Sequence, residues 1–376
     1  MSRGTTAAAG RELQTLRERI RARAGNYVPE GIGPRLAIEI KPAPFRSTNP
    51  VYLVDLIDPA GGGRRTLFAK VTPPAESAAR GGREFAMLGR LYGHPALLEA
   101  GIAVPRPIDY VEDLGLLVTE FVPGEKLGSI VRRTCGLFSP PEAHERAAAL
   151  VSRCGRGLRA LHAVTATGAF TPVPDALSGK IADTHRYLLE QRWLAPSDLP
   201  GLPETVRSAL ALLDGCSWPV VRQHGDFCPG NVIVCEGRPT VIDFTFASES
   251  VAASDLGRFF AALDHFNPYP ANLLFDFRVL GRLRSALLDG YFGADGNITG
   301  AEALLVHLYR LRNLLVHFRS RGPSFLARGG RPGLYGARLV YRAKLRAVLA
   351  EVRRRGECCS AAPHASPELP EVLPPR

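Results

Sequence analysis

The sequence predicts an α+β chain of two lobes: a small lobe of five antiparallel strands with one helix, then a larger, mainly helical lobe. Three observations predict it. Short β-rich runs crowd the stretch from Pro34 to Glu120, helical periodicity takes over after Val122-Pro123-Gly124, and strand texture returns only between Val220 and Phe244. A chain of 376 residues, 45% hydrophobic and 22% charged, has globular composition and is long enough for two such lobes.

Residues 1 to about 25 read as a charged, amphipathic helical arm, RELQTLRERIRARAG, with Leu13, Leu16 and Ile20 on one side. The small lobe, residues 26–122, opens on the alternating run Leu36-Ala37-Ile38-Glu39-Ile40. Val51 to Ile57 and Thr66 to Val71 follow as strands, with Gly61-Gly62-Gly63 as the hairpin turn between them. A helix spans Pro74 to Tyr92 and is closed by Gly93. Two last strands, Ile108 to Val111 and Leu116 to Glu120, flank the acidic turn Glu112-Asp113. In the large lobe, residues 123–355, helices fit Glu142 to His162 and Lys180 to Trp193, and short strands fit Val220 to Arg222, Val232 to Cys235 and Thr240 to Ile242. Helices resume near Ser254 and run to about Arg355, with breaks at Pro268, Gly293 to Gly296 and Gly329 to Gly333. Residues 356–376, rich in Pro, Ala and Ser, read as a disordered tail.

No stretch approaches the roughly 20 uninterrupted apolar residues of a membrane helix, and MSRGTTAAAGREL lacks the apolar segment of a signal peptide. Seven cysteines, an odd number without a CxxC spacing, suggest neither a disulfide framework nor a zinc site. A soluble cytoplasmic protein with reduced thiols is the expectation. The net charge of +11 is local: from Arg278 to Arg355, 16 Lys and Arg stand against 4 Asp and Glu, an excess of +12. Such a region can attract an anionic lipid surface or an acidic substrate, or be only a solvated basic face. Nucleic acid is disfavoured, since no recognition motif for it occurs.

The most informative stretch is HGDFCPGN, His224 to Asn231, followed by Val241-Ile242-Asp243-Phe244. It sets an Asp, an Asn five residues later and a second Asp seventeen residues after the first, each at the edge of a short apolar strand, so turns can bring three oxygen-bearing side chains to one side of a cleft. Phosphoryl transfer needs that set. One carboxylate, Asp226, orients the attacking hydroxyl and accepts its proton, while the Asn231 amide oxygen and the Asp243 carboxylate hold Mg²⁺ against the triphosphate. The metal offsets the repulsion of two ionised carboxylates. Either tripeptide alone, HGD or IDF, reads equally as turn residues flanking core strands; it is their order and spacing that favour the chemistry.

HGDFCPGN followed by VIDF resembles the signature of the aminoglycoside phosphotransferase family, which shares the protein-kinase-like fold. The resemblance implies a lysine on the third strand paired with a glutamate on the small-lobe helix. Leu67-Phe68-Ala69-Lys70-Val71 offers Lys70, and Glu84 follows fourteen residues later on the predicted helix, with Glu76 a weaker candidate. By resemblance, Lys70 neutralises the α- and β-phosphates of ATP and Glu84 fixes its ammonium. The run Leu116 to Gly124 looks like the last small-lobe strand entering the hinge, where backbone groups of Glu120, Phe121 and Val122 meet the adenine edge, ATP being favoured over GTP. Ser254-Asp255-Leu256-Gly257-Arg258 resembles the family's Asp-Leu element; Asp255 is expected to cap a helix and brace the catalytic loop, and His224 to orient that loop by hydrogen bonds. The resemblance covers residues 30 to 355.

There are departures. The loop expected over the phosphates, Lys41 to Pro50 (KPAPFRSTNP), has no glycine, leaving Ser47, Thr48 and Asn49 to offer hydroxyls or amides. HGD replaces the HRD of protein kinases, and neither DFG nor APE occurs, so a phosphorylation-controlled activation loop and a protein substrate lose ground. A polycationic aminoglycoside calls for an acidic pocket, the reverse of the 278–355 region. A neutral or anionic hydroxyl compound, a sugar or a glycan precursor, fits that field better than an antibiotic. Asp264 and His265, downstream of the metal aspartate, are further candidates to face the acceptor. The alternatives are a catalytically silent kinase-like binding module and a kinase acting on an envelope glycan at the membrane surface.

Overall fold

The computed structural model describes residues 14–23, 27, 37–44, 49–58, 63–72, 74–173, 175–265, 276–293 and 298–361; for 74–79, 328, 329, 331 and 361 it describes the backbone alone. The chain divides into two compact units. The first comprises Met1–His94, Val104–Pro123 and Ile242–Phe246; the second comprises Pro95–Ala103, Gly124–Val241 and Ala247–Arg376.

The first unit is built on a five-stranded antiparallel sheet: β1 (Ala37–Pro42), β2 (Val51–Ile57), β3 (Arg64–Val71), β4 (Pro107–Val111) and β5 (Leu116–Glu120), in the order β1-β2-β3-β5-β4. Strand β3 lies between β2 and β5, with Lys70 opposite Val51 on one side and Leu117 on the other. Side chains alternate across a strand, so Leu67 and Ala69 enter one face of the sheet and Phe68 and Lys70 the other. A helix over residues 14–22 (α1) covers the Leu67/Ala69 face: Leu16, Ile20 and Tyr27 share a core with Val54, Leu56 and Val118. Residues 14–22 of the stretch read as an arm thus join the core, because an apolar stripe must be buried somewhere.

Polar contacts pin the same segment. The Arg23 guanidinium donates to both oxygens of Asp109, at 2.7 and 3.0 Å, and the Tyr27 hydroxyl donates to Asp109 Oδ2 at 2.7 Å. Burial, reinforced by the neighbouring carboxylate, pushes the Tyr27 phenol up. Helix α2 (Pro74–Leu91) packs against β4 and β5 and comes close at Gly81, where a Cβ would lie 2.7 Å from the Tyr110 ring. It ends at Gly93, whose φ of 69° is the left-handed conformation that closes a helix.

The second unit is mainly helical and carries two small sheets. One joins β6 (Glu125–Lys126), β9 (Val232–Cys235) and β10 (Arg238–Val241); the other joins β7 (Ala166–Thr171), β8 (Trp218–Gln223) and β11 (Ser248–Val251). The helices at Pro141–Thr165 and Phe277–Phe292 meet backbone to backbone: a Cβ on Gly155 would lie 2.2 Å from the Leu287 carbonyl, and one on Gly290 2.0 Å from that of Ser152. Helix Ala253–His265 follows β11, and the last helical run, Gly300–Ala361, breaks at Gly330 (φ 56°, ψ −149°). Helix therefore continues to Ala361, six residues beyond the expected end, while the remainder of the expected tail, 362–376, lies outside the described residues. So do the expected turn at Gly61-Gly62, the break at Pro268 and residues 45–48 of the loop read as covering phosphate.

Part of the basic excess is used inside this unit. Arg338 donates to the buried Asp198 carboxylate at 2.8 Å, and Arg346 and Arg353 donate to the carbonyls of Asp198 and Pro200 at 2.7 and 2.8 Å. Burial pushes the Asp198 carboxyl up, but the hydrogen bonds from Arg338 and the Ala195 amide, with the charges of Arg338 and Arg342, hold it below the usual range. Among the described residues no helix is long and apolar enough to cross a membrane.

Because Ile20 is 1% exposed in the first unit's core, Ile20→Ala should cost about 2–5 kcal/mol in chemical denaturation. Unchanged stability would mean that α1 is only appended.

Candidate active site

Helix α2 turns one stripe inward, Glu84, Met87, Leu88 and Leu91 at helical spacing, all buried. A carboxylate on an apolar stripe needs a partner, and β3 supplies it. Lys70, 6% exposed, donates to Glu84 Oε2 at 2.6 Å, Asp243 Oδ1 at 3.0 Å and Thr245 Oγ1 at 2.8 Å. Glu84, 2% exposed, also accepts from the Phe244 amide at 3.1 Å and from the Thr245 hydroxyl at 3.0 Å. Asp243 has a left-handed backbone, φ 67°, which a short polar side chain tolerates, and its side chain is 42% exposed. Burial alone would lower the Lys70 pKa; the Glu84 and Asp243 carboxylates outweigh it, so the ammonium is raised above its ordinary value and stays charged. The structure thus brings Lys70, Glu84 and Asp243 together within the first unit, and adds Thr245.

Glu120, Phe121 and Val122 stand where β5 ends, in the same unit. The Glu120 amide donates to the Arg106 carbonyl at 2.9 Å, and its carbonyl accepts from the Thr119 hydroxyl at 3.2 Å. Phe121 and Val122 are half-buried.

In the second unit β8 runs out at Gln223 into His224-Gly225-Asp226. Gly225 has φ 82°, a turn that favours glycine. The fully buried Asp255 carboxylate accepts from the backbone amides of His224, at 2.7 Å, and Gly225, at 2.9 Å, and lies 3.2 Å from His162 Nε2. An Nε2–H donated to Asp255 leaves His162 Nδ1 to accept from the Tyr291 hydroxyl, 2.9 Å away. Burial pushes the Asp255 carboxyl up, and the hydrogen bonds from His162 and the His224 amide more than offset this, so it is held below the usual range. Asp255 does not cap its helix: it is the third residue of Ala253–His265, and its carboxylate braces the loop. His224 orients the loop as expected, its Nδ1 accepting from the Asp226 amide at 3.2 Å.

Asp226 is held at both oxygens. Asn231 Nδ2 donates to Oδ2 at 2.9 Å and to the Asp226 carbonyl at 3.0 Å, and Arg258 Nε donates to Oδ1 at 2.6 Å. With the Asn231 nitrogen committed, its amide oxygen is the atom left for a cation. Asp226 and Asn231 are therefore brought together, in the second unit. Cys228, within the same motif, has its thiol pushed up to about 11, first by burial and then by Asp226, so it is no nucleophile at neutral pH.

Thr245 and Arg258 escaped the sequence reading. Thr245 carries no signal except its place two residues after Asp243. Arg258 did carry one: it is a lone cation in Leu256-Gly257-Arg258-Phe259-Phe260, one helical turn after Asp255, and needs a carboxylate. Asp264, expected to face the acceptor, instead binds Arg310 at 2.8 and 2.9 Å and pairs with Arg284.

Compared with models of known families, residues 39–303 match the Phosphotransferase enzyme family (APH). No curated protein matches the chain in sequence. Its structure is similar to that of a candidate aminoglycoside phosphotransferase from Ralstonia eutropha, at a TM-score of 0.53 and 15% identity over 91% of this chain and 98% of that one. It is also similar to choline kinase from Cryptosporidium parvum, at 0.51 and 12% identity over 93% and 96%. A thermostable mutant of aminoglycoside phosphotransferase APH(4)-Ia, in ternary complex with ADP and hygromycin B, matches at 0.50 and 14% identity over 85% and 95%. At these identities the likeness is one of fold.

Asp255 has a folded pKa below its unfolded value of about 3.9, so its stabilisation is complete above that pH and is lost as pH falls through the folded pKa. An acid titration of stability should therefore fall less steeply below about pH 4 in Asp255→Asn than in the wild type. Parallel curves would remove the carboxylate from its role.

Proposed function

We propose, because the chain belongs to the Phosphotransferase enzyme family, that it moves the γ-phosphoryl group of ATP, with Mg²⁺, to a hydroxyl of a small molecule. The observation that carries this reading is the buried Lys70 ammonium held by Glu84, Asp243 and Thr245. A charge kept dry at that cost suits a site that must offset phosphate charge.

Asp226 is the residue proposed to orient the acceptor hydroxyl. As the acceptor oxygen bonds to the γ-phosphorus, the bond to the bridging oxygen of ADP breaks and the hydroxyl proton passes to the Asp226 carboxylate. Both carboxylate oxygens are already fixed, so little reorganisation is needed. The Asn231 amide oxygen and the Asp243 carboxylate, each a hard oxygen donor of the kind Mg²⁺ prefers, are the groups proposed to hold the cation. When bound, Mg²⁺ neutralises phosphate charge. Lys70 steadies the α- and β-phosphates, and the backbone at Glu120 to Val122 meets the adenine edge.

A neutral or anionic hydroxyl compound, such as a sugar or glycan precursor, fits as acceptor better than a polycation, because the side chain beside Asp226 is a guanidinium. Contact of the 278–355 region with an anionic surface is a companion reading that falls to arginines other than those already bound to residues 197–205.

The test is transfer of labelled γ-phosphate from ATP into a panel of hydroxyl compounds. Asp226→Asn should lower turnover by about 10²–10⁴ while nucleotide affinity holds, and Asp243→Ala should weaken Mg²⁺-dependent nucleotide binding. Full turnover in Asp226→Asn would overturn the assignment of the base. Equal nucleotide affinity in Asp243→Ala at saturating Mg²⁺ would overturn that of the metal. Nucleotide binding without transfer to any acceptor would favour a silent binding module.

A further inference from the structure

We infer that the acceptor carries an anionic group, a phosphate or a carboxylate, and that Arg258, His265, His317 and Lys344 receive it. The inference rests on Asp226 being the residue that orients the reacting hydroxyl.

Arg258 and His265 are two turns apart on helix Ala253–His265 and share a face. At one end of this face Arg258 Nε is tied to Asp226. That uses one arm of the guanidinium, and the planar fork still offers its terminal NH₂ groups. At the other end the His265 ring stacks on His317, with centroids 3.4 Å apart and planes at 20°. The run Gly300–Ala361 reaches this helix closely at Gly257, where a Cβ would lie 2.5 Å from Tyr309 Cβ and 2.8 Å from the Arg310 amide nitrogen. His317 Nδ1 is hydrogen-bonded to the Tyr341 hydroxyl, and Lys344 Nζ lies 6.0 Å from the centre of the Tyr341 ring.

What distinguishes the cluster is its missing counter-charge. Of the four side chains, only Arg258 has a carboxylate partner among the described residues, and His265 Nε2 is buried with no hydrogen bond. Burial lowers the pKa of both imidazoles, and Lys344, Arg258 and Arg321 lower it further on each, as His317 does on His265. Lys344 itself is lowered to about 8, by burial, with Asp264 the one acid opposing the shift. Asp264 is already committed to Arg310 and Arg284. The result is a half-buried cluster of nitrogen donors in which Lys344 has no carboxylate partner among the described residues and His265 Nε2 no hydrogen bond, a costly arrangement for a structural core and a favourable one for an anionic ligand. Guanidinium, ammonium and imidazole N–H suit phosphate and carboxylate alike.

The experiment follows the imidazole NMR signals of His265 and His317 in the full chain. Mg²⁺ and a nonhydrolysable ATP analogue fill the nucleotide's own phosphate positions during titration with inorganic phosphate, acetate or neutral glycerol at constant ionic strength. One or both anions should give a saturable shift and glycerol none, the responding anion telling phosphate from carboxylate. Lys344→Ala should weaken that binding roughly tenfold or more, the loss of a charge-assisted hydrogen bond, while Lys344→Arg, which keeps the charge, retains it. In transfer assays Lys344→Ala should lower kcat/KM for anionic hydroxyl compounds and not for neutral ones. No saturable shift with either anion, or equal affinity in Lys344→Ala, overturns the inference. A saturable shift in a wild type that transfers phosphate to nothing would instead count against Asp226 as base and leave the anion site standing.

Discussion

A lysine ammonium closed off from water sets the terms for the first unit. Removing such a charge from solvent costs several kcal/mol, and removing one partner of a buried pair costs about 3–5 kcal/mol. Lys70 therefore requires a carboxylate where α2 would otherwise be apolar, which is why Glu84 stands on the stripe with Met87, Leu88 and Leu91. It also draws a distant segment into the unit: Asp243-Phe244-Thr245 supplies a carboxylate, an amide and a hydroxyl to Lys70 and Glu84. The Thr245 hydroxyl has one proton and two carboxylate acceptors, Glu84 and Asp243, while it accepts from Lys70. Moving any member disturbs the others, so the position of Asp243 is fixed by the need to keep Lys70 charged.

The second unit solves a different problem, how to hold a turn still. The start of one helix does two tasks. Asp255 gathers the backbone amides of His224 and Gly225 under support from His162 and Tyr291, and Arg258, one helical turn on, grips the Asp226 carboxylate. In the proposed function a carboxylate so restrained would be prepared for orienting a hydroxyl, and the same arginine shares its helix face with His265. Acceptor preference and base orientation would then be coupled through a single side chain.

The sequence made the sheet legible because β2 and β3 alternate or run apolar between turn residues, and the helix legible because its stripe repeats at helical spacing. The HGD and IDF motifs were legible as a family signature by their order. The strands Glu125–Lys126, Ala166–Thr171 and Ser248–Val251 were not, since ATGAFT and SESV lack apolar alternation and form only by pairing with neighbours distant in sequence. The helix of residues 14–22 was visible but its burial was not, because amphipathicity shows that a face is covered and not by what. Thr245 was hidden for a related reason: a hydroxyl beside a buried ion pair leaves no periodic trace. Part of the C-terminal charge proved to be internal fastening, which the hydrogen bonds from Arg338, Arg346 and Arg353 reveal.

If Glu84 acts on nucleotide only by fixing Lys70, the two residues must be energetically coupled. A double-mutant cycle on Mg²⁺-nucleotide affinity with Lys70→Ala, Glu84→Ala and the pair measures this directly. The account predicts that Glu84→Ala weakens binding in the wild-type background and has almost no further effect once Lys70 is gone, a coupling of about 1–3 kcal/mol. Additive losses would show that the glutamate and the lysine serve the nucleotide separately, and would contradict the account.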